Sequence, residues 1–291
     1  MDKKDDKKIC DKEFLTIKEF SEFVGISVHM LRHYDKKGVF LPSKRGVDFN
    51  NKYRYYSPTQ ITSVKMVRVL ADIRVPLKTI RELAQDRTPE KLLKLLKKYT
   101  DIMDDEIHLL QDAYSVIKTY VNMLYEGVSA TESDIIVSEM PEKKILLGGL
   151  NDYNDTVGFV REFTRFCSAS HEPKLNKSYP IGGFWESMSA YLDEPSQPAR
   201  FFSLDPAGYE QKESGQYLIG YTRGYYGQVN DLPKRMVDYA NKNGIEFTGP
   251  VYNTYLFDEI SIGDPEQYLL QVAASVKETR RVPSLRMRSL Y

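Results

Sequence analysis

The chain has 291 residues, of which 41% are hydrophobic and 28% charged; at roughly 100–200 residues per domain two domains are expected, and the absence of a run of about 18 apolar residues excludes a transmembrane helix. Two cysteines, Cys10 and Cys167, exclude a disulfide scaffold and a cysteine-only metal cage and point to a reducing cytoplasm. A zero net charge conceals a basic block: Ser27 to Arg81 holds 12 Lys/Arg against 3 Asp/Glu, whereas Val128 to Tyr291 holds 17 against 22, so one domain is expected to meet a polyanion and the other to do something else.

Residues 1–12 alternate Lys and Asp without an apolar core, which predicts a disordered tail and no secretion signal. Thr16, with Glu19 three residues on, has capping-box spacing for a first helix that sets Phe20, Phe23 and Val24 on one face and ends at Gly25. Ser27 caps a second helix through Met30, Leu31 and Tyr34 to Gly38. Two short helices about a tight glycine turn make a helix-turn-helix. Pro42, Gly46, Asn50 and Asn51 break the next stretch, and Tyr53-Arg54-Tyr55-Tyr56 reads as a short strand, together a wing. Ser57 caps a third helix, with Pro58 in its first turn and Ile61, Val64, Val67 and Leu70 inside. A turn at Arg74-Val75-Pro76-Leu77 leads into a fourth.

Leu92, Leu96, Tyr99, Met103, Glu106, Leu110, Ala113, Ile117, Tyr120 and Leu124 step by four and three, a heptad seam with one polar position. It predicts one long helix ending at Gly127 that pairs with a second copy of the chain. Beyond it the periods turn β-like. Strands are expected at 135–137, 144–150, 181–185, 200–204, 216–222, 250–257 and 269–276, with helices at 157–168 and at 232–243. The second ends at Asn243-Gly244. That order reads as an α+β domain. The end, Lys277 to Tyr291, is basic and is expected to be a loose tail.

On the second helix Arg32 has the reach for guanine or phosphate, and His33 and Tyr34 can donate to phosphate or sugar oxygens. Lys36 and Lys37 extend the run. The wing adds Lys44, Arg45, Lys52, Tyr53 and Arg54. Basic residues interleaved with tyrosines suit backbone contact better than base reading, and the tyrosines divide between contact and packing.

These residues carry a resemblance. Leu15-Thr16-Ile17-Lys18-Glu19-Phe20, Gly25-Ile26-Ser27, Leu31-Arg32-His33-Tyr34-Asp35, Gly38-Val39-Phe40-Leu41-Pro42, Tyr53-Arg54-Tyr55-Tyr56-Ser57 and Val75-Pro76-Leu77 resemble the DNA-binding domain of MerR-type transcription regulators. His33 stands where the family has a tyrosine. The resemblance implies an antiparallel dimer on a palindrome inside a promoter with an overlong spacer, and DNA distortion that realigns the promoter for RNA polymerase. It implies DNA contacts from Thr16, Lys18, Ser27, Arg32, His33, Tyr34, Lys36, Lys44, Arg45, Tyr53, Arg54, Tyr55, Lys65, Arg68 and Arg74. The metal-sensing branch needs cysteines after the coiled coil; none lies between 11 and 166 and His108 stands alone, so no metal or other cofactor is expected.

More weakly, 134–276 resembles the GyrI-like (SHS2-type) effector domain of BmrR-type multidrug regulators, through Gly249-Pro250-Val251-Tyr252-Asn253-Thr254-Tyr255 and the strand after it. The expected layout is a tail (1–12), an all-α winged helix-turn-helix domain (13–88), a dimerisation helix (89–127), a GyrI-like effector domain (128–276) and a basic tail (277–291). The resemblance implies an aromatic pocket for lipophilic, cationic compounds, and from Val128 onward there are 13 Tyr, 8 Phe and 1 Trp. The expected lining is Tyr153, Phe184, Trp185, Glu186, Tyr221, Tyr225, Asn253 and Tyr255. Asn253 stands where the family carries a drug-pairing glutamate, so either another acid serves, Glu186 being the nearest candidate, or stacking dominates. Two other readings compete. Some stand-alone GyrI-like domains resemble small hydrolases that use Trp, Glu and Tyr, which Trp185, Glu186 and Tyr255 imitate without a nucleophile–base pair. An effector-independent architectural DNA-binding protein is the third.

Overall fold

The computed structural model describes residues 12–46, 53–154, 157–169 and 179–278. Residues 1–11 of the expected N-terminal tail, the wing positions Asn50, Asn51 and Lys52, and the C-terminal tail from 279 onward lie outside them. The chain divides into two compact units, one ending at Glu106 and the other beginning at Ile107.

The first unit runs β1 (Leu15–Thr16), α1 (Ile17–Val24), α2 (Val28–Lys36), β2 (Lys44–Arg45), β3 (Arg54–Tyr56), a 3-10 turn at Pro58–Gln60, α3 (Ile61–Asp72) and α4 (Leu77–Gln85). Local chemistry sets the boundaries. The Thr16 hydroxyl accepts from the Glu19 N–H while the Glu19 carboxylate accepts from the Thr16 N–H, closing the capping box. Gly25 ends α1 at φ 67°, a conformation glycine adopts without a Cβ penalty. Ser27 caps α2 by accepting from the Met30 N–H at 3.1 Å. The apolar faces of α1, α2, α3 and α4 meet around Leu31, Val64, Leu70 and Ile80. Tyr56 of β3 packs with Phe20 and Phe40 in a triangle of rings, with centroids 4.6 and 5.7 Å from it and 6.1 Å from each other. The small antiparallel sheet β1-β3-β2 sets Leu15 opposite Tyr56 and Lys44 opposite Tyr55, so the wing is registered to the helices.

A single helix, α5, spans Pro89–Ser129. It does not stop at Gly127. A Cβ there would lie 2.7 Å from the Phe257 ring, so close packing, not a helix stop, explains this glycine. The heptad residues also divide. Leu96 and Tyr99 pack on the core of the first unit. In the second unit Val116, Met123 and Gly127 are buried. Between and beside them Ile107, Leu110, Tyr114, Ile117, Val121, Leu124 and Val128 are exposed, again at steps of three and four.

The second unit is built on an antiparallel sheet of β4 (Ile135–Met140), β5 (Lys143–Leu147), β6 (Ile181–Trp185), β7 (Arg200–Ser203), β8 (Glu210–Lys212), β9 (Gly215–Arg223), β10 (Phe247–Phe257) and β11 (Leu269–Val276), in the order β4-β9-β11-β10-β6-β7-β5-β8. Helices α6 (Gly158–Ala169), α7 (Met188–Asp193) and α8 (Leu232–Asn243) accompany it. Two elements are additional to those expected, β8 and α7. Gly244 ends α8 at φ 63°. The strand β11 is buried almost throughout because both faces of the sheet are covered. Leu218, Val251, Leu270 and Val272 face α7 and α8; Tyr217, Ile219, Tyr252 and Ala273 face the opposite way, with Met123 of α5. Gly220 lets α8 approach closely: a Cβ there would meet Leu232 at 2.6 Å. Lys277, expected in the loose tail, is held by its N–H donating to the Glu246 carbonyl at 2.9 Å. No helix among the described residues is long and apolar enough to cross a membrane.

Candidate functional site

Helix α2 offers a basic outer face because its inner one is fully used. Leu31, Tyr34 and Asp35 are buried, whereas Arg32 and Lys36 are exposed and His33 is half-buried. Tyr34 was expected among the contacts, but at 3% exposure its ring belongs to the core. Asp35 ties the wing to this helix. Its carboxylate accepts from Arg45 at 2.5 Å and from Arg54 at 2.6 Å. The Arg54 side chain is 25% exposed and that of Arg45 56%, so Arg54 is mainly a strap, while Arg45 keeps half of its surface for an outside partner. A paired acid under two arginines fixes a planar, bidentate geometry that lysine does not supply.

The other expected contacts lie around this helix. Lys18, Lys44, Tyr53, Lys65, Arg68 and Arg74 are exposed, and Thr16, Ser27 and Tyr55 hold structural positions in the cap and the small sheet. Arg68 donates to the Gly25 carbonyl at 2.7 Å, bracing the turn between α1 and α2. Arg74 sits at φ 61°, a left-handed conformation uncommon for a residue with a Cβ.

In the second unit the expected lining residues fall on two sides of the sheet. Trp185 is 1% exposed; its indole N–H donates to the Glu194 carbonyl at 3.0 Å and its ring meets Tyr191 edge-on at 4.9 Å. It fills the core under α7 and α8 and has no free ring face. Tyr255 packs against the same core as Trp185, whereas Glu186 is exposed. The side-chain carbonyl of Asn253 accepts from the Gly183 N–H at 2.6 Å, a link between neighbouring strands. Tyr153 donates to the Pro198 carbonyl at 2.7 Å. Tyr225, Tyr226, Tyr255 and Tyr268 form a ring cluster that joins the Trp185 core through Tyr255, with Tyr226 4.7 Å from Tyr255 and 5.5 Å from Tyr268.

Phe184 and Tyr221 lie on the opposite face with Phe202, Tyr217 and Tyr252. Phe184 and Phe202 meet Tyr252 edge-on at 5.5 and 5.4 Å. Two charged groups that sequence reasoning missed stand among these rings. Glu126 of α5 accepts from the Tyr221 hydroxyl at 3.1 Å and from the Gln271 amide. Burial raises its carboxyl above the usual range, against the Tyr221 hydrogen bond and the charges of Lys143 and Lys212. Lys212 is buried on the same face and its ammonium falls to about 7, through burial first and Lys143 second, with Glu126 opposing. An acid inside an aromatic surface is the arrangement that recognises a lipophilic cation or a hydrogen-bond donor. The one sequence signal for it was Gly127, whose missing side chain lets this end of α5 press against Phe257.

Residues 15–87 match the family model described as MerR HTH family regulatory protein. The chain is 24% identical over 273 residues to the multidrug-efflux transporter 2 regulator of Bacillus subtilis, covering 92% of this chain and 98% of that protein. It is 36% identical over 166 residues to the transcriptional regulator BrlR of Pseudomonas aeruginosa, covering 54% and 58%. Among solved structures, the EcmrR–DNA complex overlays at a TM-score of 0.38 with 13% identity, over 91% of this chain and all of that one. A hydrolase from Listeria innocua overlays at 0.34 with 14% identity, over 52% and 96%.

Proposed function

We propose that this chain, whose residues 15–87 are a MerR-family helix-turn-helix domain and which is homologous to multidrug-efflux regulators, binds an inverted repeat in a promoter as a dimer and activates transcription when a lipophilic aromatic compound reaches its sheet domain. The observation that carries the DNA reading is the Asp35 strap. It fixes helix and wing as one surface on which Arg32, Lys36, Lys44 and part of Arg45 face outward. Such a surface gains affinity by neutralising phosphates and releasing counterions.

The exposed stripe of α5 supports the dimer. Seven apolar side chains at heptad steps are costly to leave in water, and a second copy of the same helix matches their spacing. The face bearing Tyr217, Tyr221, Tyr252 and Phe184 supports the effector reading, with Glu126 in the part first sought at Glu186.

The test is transcription by bacterial RNA polymerase from a long-spacer promoter carrying the chain's binding site, with and without a panel of lipophilic aromatic cations. Transcript is expected to rise severalfold with at least one compound, and Glu126→Gln to lose the response while still binding DNA. No response across the panel by a chain that binds the promoter overturns the effector reading.

A further inference from the structure

The aromatic face of the second unit already holds an amine of the chain's own. Lys212 closes the short strand β8, at the edge of the sheet, and sends its side chain inward, to 6% exposure. Its Nζ lies 4.6 Å from the Tyr252 ring centroid and 4.9 Å from that of Tyr217. It also donates towards Met140 Sδ at 3.7 Å. Two ring faces and a polarisable sulfur about an ammonium form a cation cage. Among the described residues no carboxylate lies within ion-pair distance of this ammonium; Glu126 of α5 and Lys143 of β5 are the charged groups that act on it.

We propose that this cage is a site for organic ammonium ions which the chain's own Lys212 fills in the absence of ligand, and that an aromatic ammonium ion binds by displacing the Lys212 side chain. The inference rests on the reading of this unit as an effector domain and adds what occupies the site beforehand. Displacement follows from charge. One acid, Glu126, acts on the amine in the cage, so a second cation beside a protonated Lys212 would be repelled, whereas a permanently charged ligand in its place leaves one cation with one acid. The exchange also has a route. β8 is three residues long, lies at the sheet edge and pairs with β5 alone, so moving Lys212 outward breaks few ladder bonds.

The experiment uses the full chain with phenyltrimethylammonium and its neutral isostere tert-butylbenzene. Lysines are labelled with limiting acetic anhydride and each site is read by mass spectrometry, with exposed Lys144 as internal reference. The ammonium ion is expected to raise the labelling of Lys212 about tenfold relative to Lys144, the opposite of ordinary protection by a ligand, and tert-butylbenzene to leave it unchanged. Lys212→Met is expected to favour phenyltrimethylammonium over tert-butylbenzene about tenfold more than the wild-type chain does. Ammonium binding that leaves Lys212 labelling unchanged or lower, with no gain of selectivity in Lys212→Met, overturns the exchange and leaves the effector reading intact. A promoter that responds to other compounds while neither protein binds the ammonium ion overturns the cage alone. A promoter that responds to nothing overturns both.

Discussion

Asp35 is an acid inside the most basic stretch of the chain, and its burial explains why it is there. Removing its charge leaves Arg45 and Arg54 without their acceptor. Because both arginines keep some solvent, the cost is set near that of a lost charged hydrogen bond, about 1–3 kcal/mol. Asp35→Asn is therefore expected to lower the melting temperature of the first unit and to weaken DNA binding through a loosened wing. Arg32→Ala is expected to keep the wild-type melting temperature and still lose about 1–3 kcal/mol of DNA affinity. Calorimetry and fluorescence anisotropy on both variants separate the two roles; equal melting temperatures would show that the strap bears no load. Lys212 gives a second test at this scale. Its ammonium is held down to about 7 in the folded chain, while an unfolded lysine titrates near 10.4. Between pH about 7 and 10 the unfolded state binds the extra proton, so this group makes stability rise with pH across that window. Above about 10 the phenols of Tyr221 and Tyr252, raised by burial, act the other way. Melting curves across that window should show the rise in the wild type and a smaller one in Lys212→Met; parallel curves would contradict the buried ammonium.

Helix α5 shows where local pattern and tertiary contact part. Gly→Ala inside a helix ordinarily gains about 1 kcal/mol. At Gly127 the new methyl would meet the Phe257 ring at 2.7 Å, and overpacking of that kind costs about 1–3 kcal/mol. Gly127→Ala is thus expected to lower stability, read as a reduced denaturation midpoint; an increase would mean that the ring moves aside freely. Leu110 is 66% exposed, so Leu110→Asp should fold as wild type yet abolish a dimer seen by light scattering, and a monomeric wild type would remove the basis of that expectation. The same helix explains what was legible in the sequence. The caps at Thr16 and Ser27 are readable because each joins a side chain to a backbone group within a few residues, and Gly244 because its left-handed φ is a local matter. The heptad seam was readable as a helix, but not in its contacts: which flank meets which neighbour depends on the sheet and on the first unit, and neither is encoded within the repeat. β8 escaped notice because Glu210-Gln211-Lys212 has no apolar alternation, and α7 because six residues carry too little period. For the sheet, β9 is a near-continuous apolar run, buried on both faces, so its sequence does not tell which set of residues meets α8. The expected lining therefore joins Trp185 and Asn253 to Phe184 and Tyr221, from which the sheet separates them, and passes over Glu126, which lies inside the span expected as a dimerisation helix.

At the scale of the whole molecule, a basic helix with a strapped wing and an aromatic sheet face bearing Glu126 are carried on one chain, together with a helix whose outer stripe is apolar. A dimer paired along that stripe is expected to recognise DNA two-fold. Selection of bound duplexes from a random library by the full-length chain tests this most directly. The account predicts enrichment of an inverted repeat, weakened steeply by added salt and not recovered with Arg32→Ala. Enrichment of a lone half-site, or of no sequence at all, would contradict it.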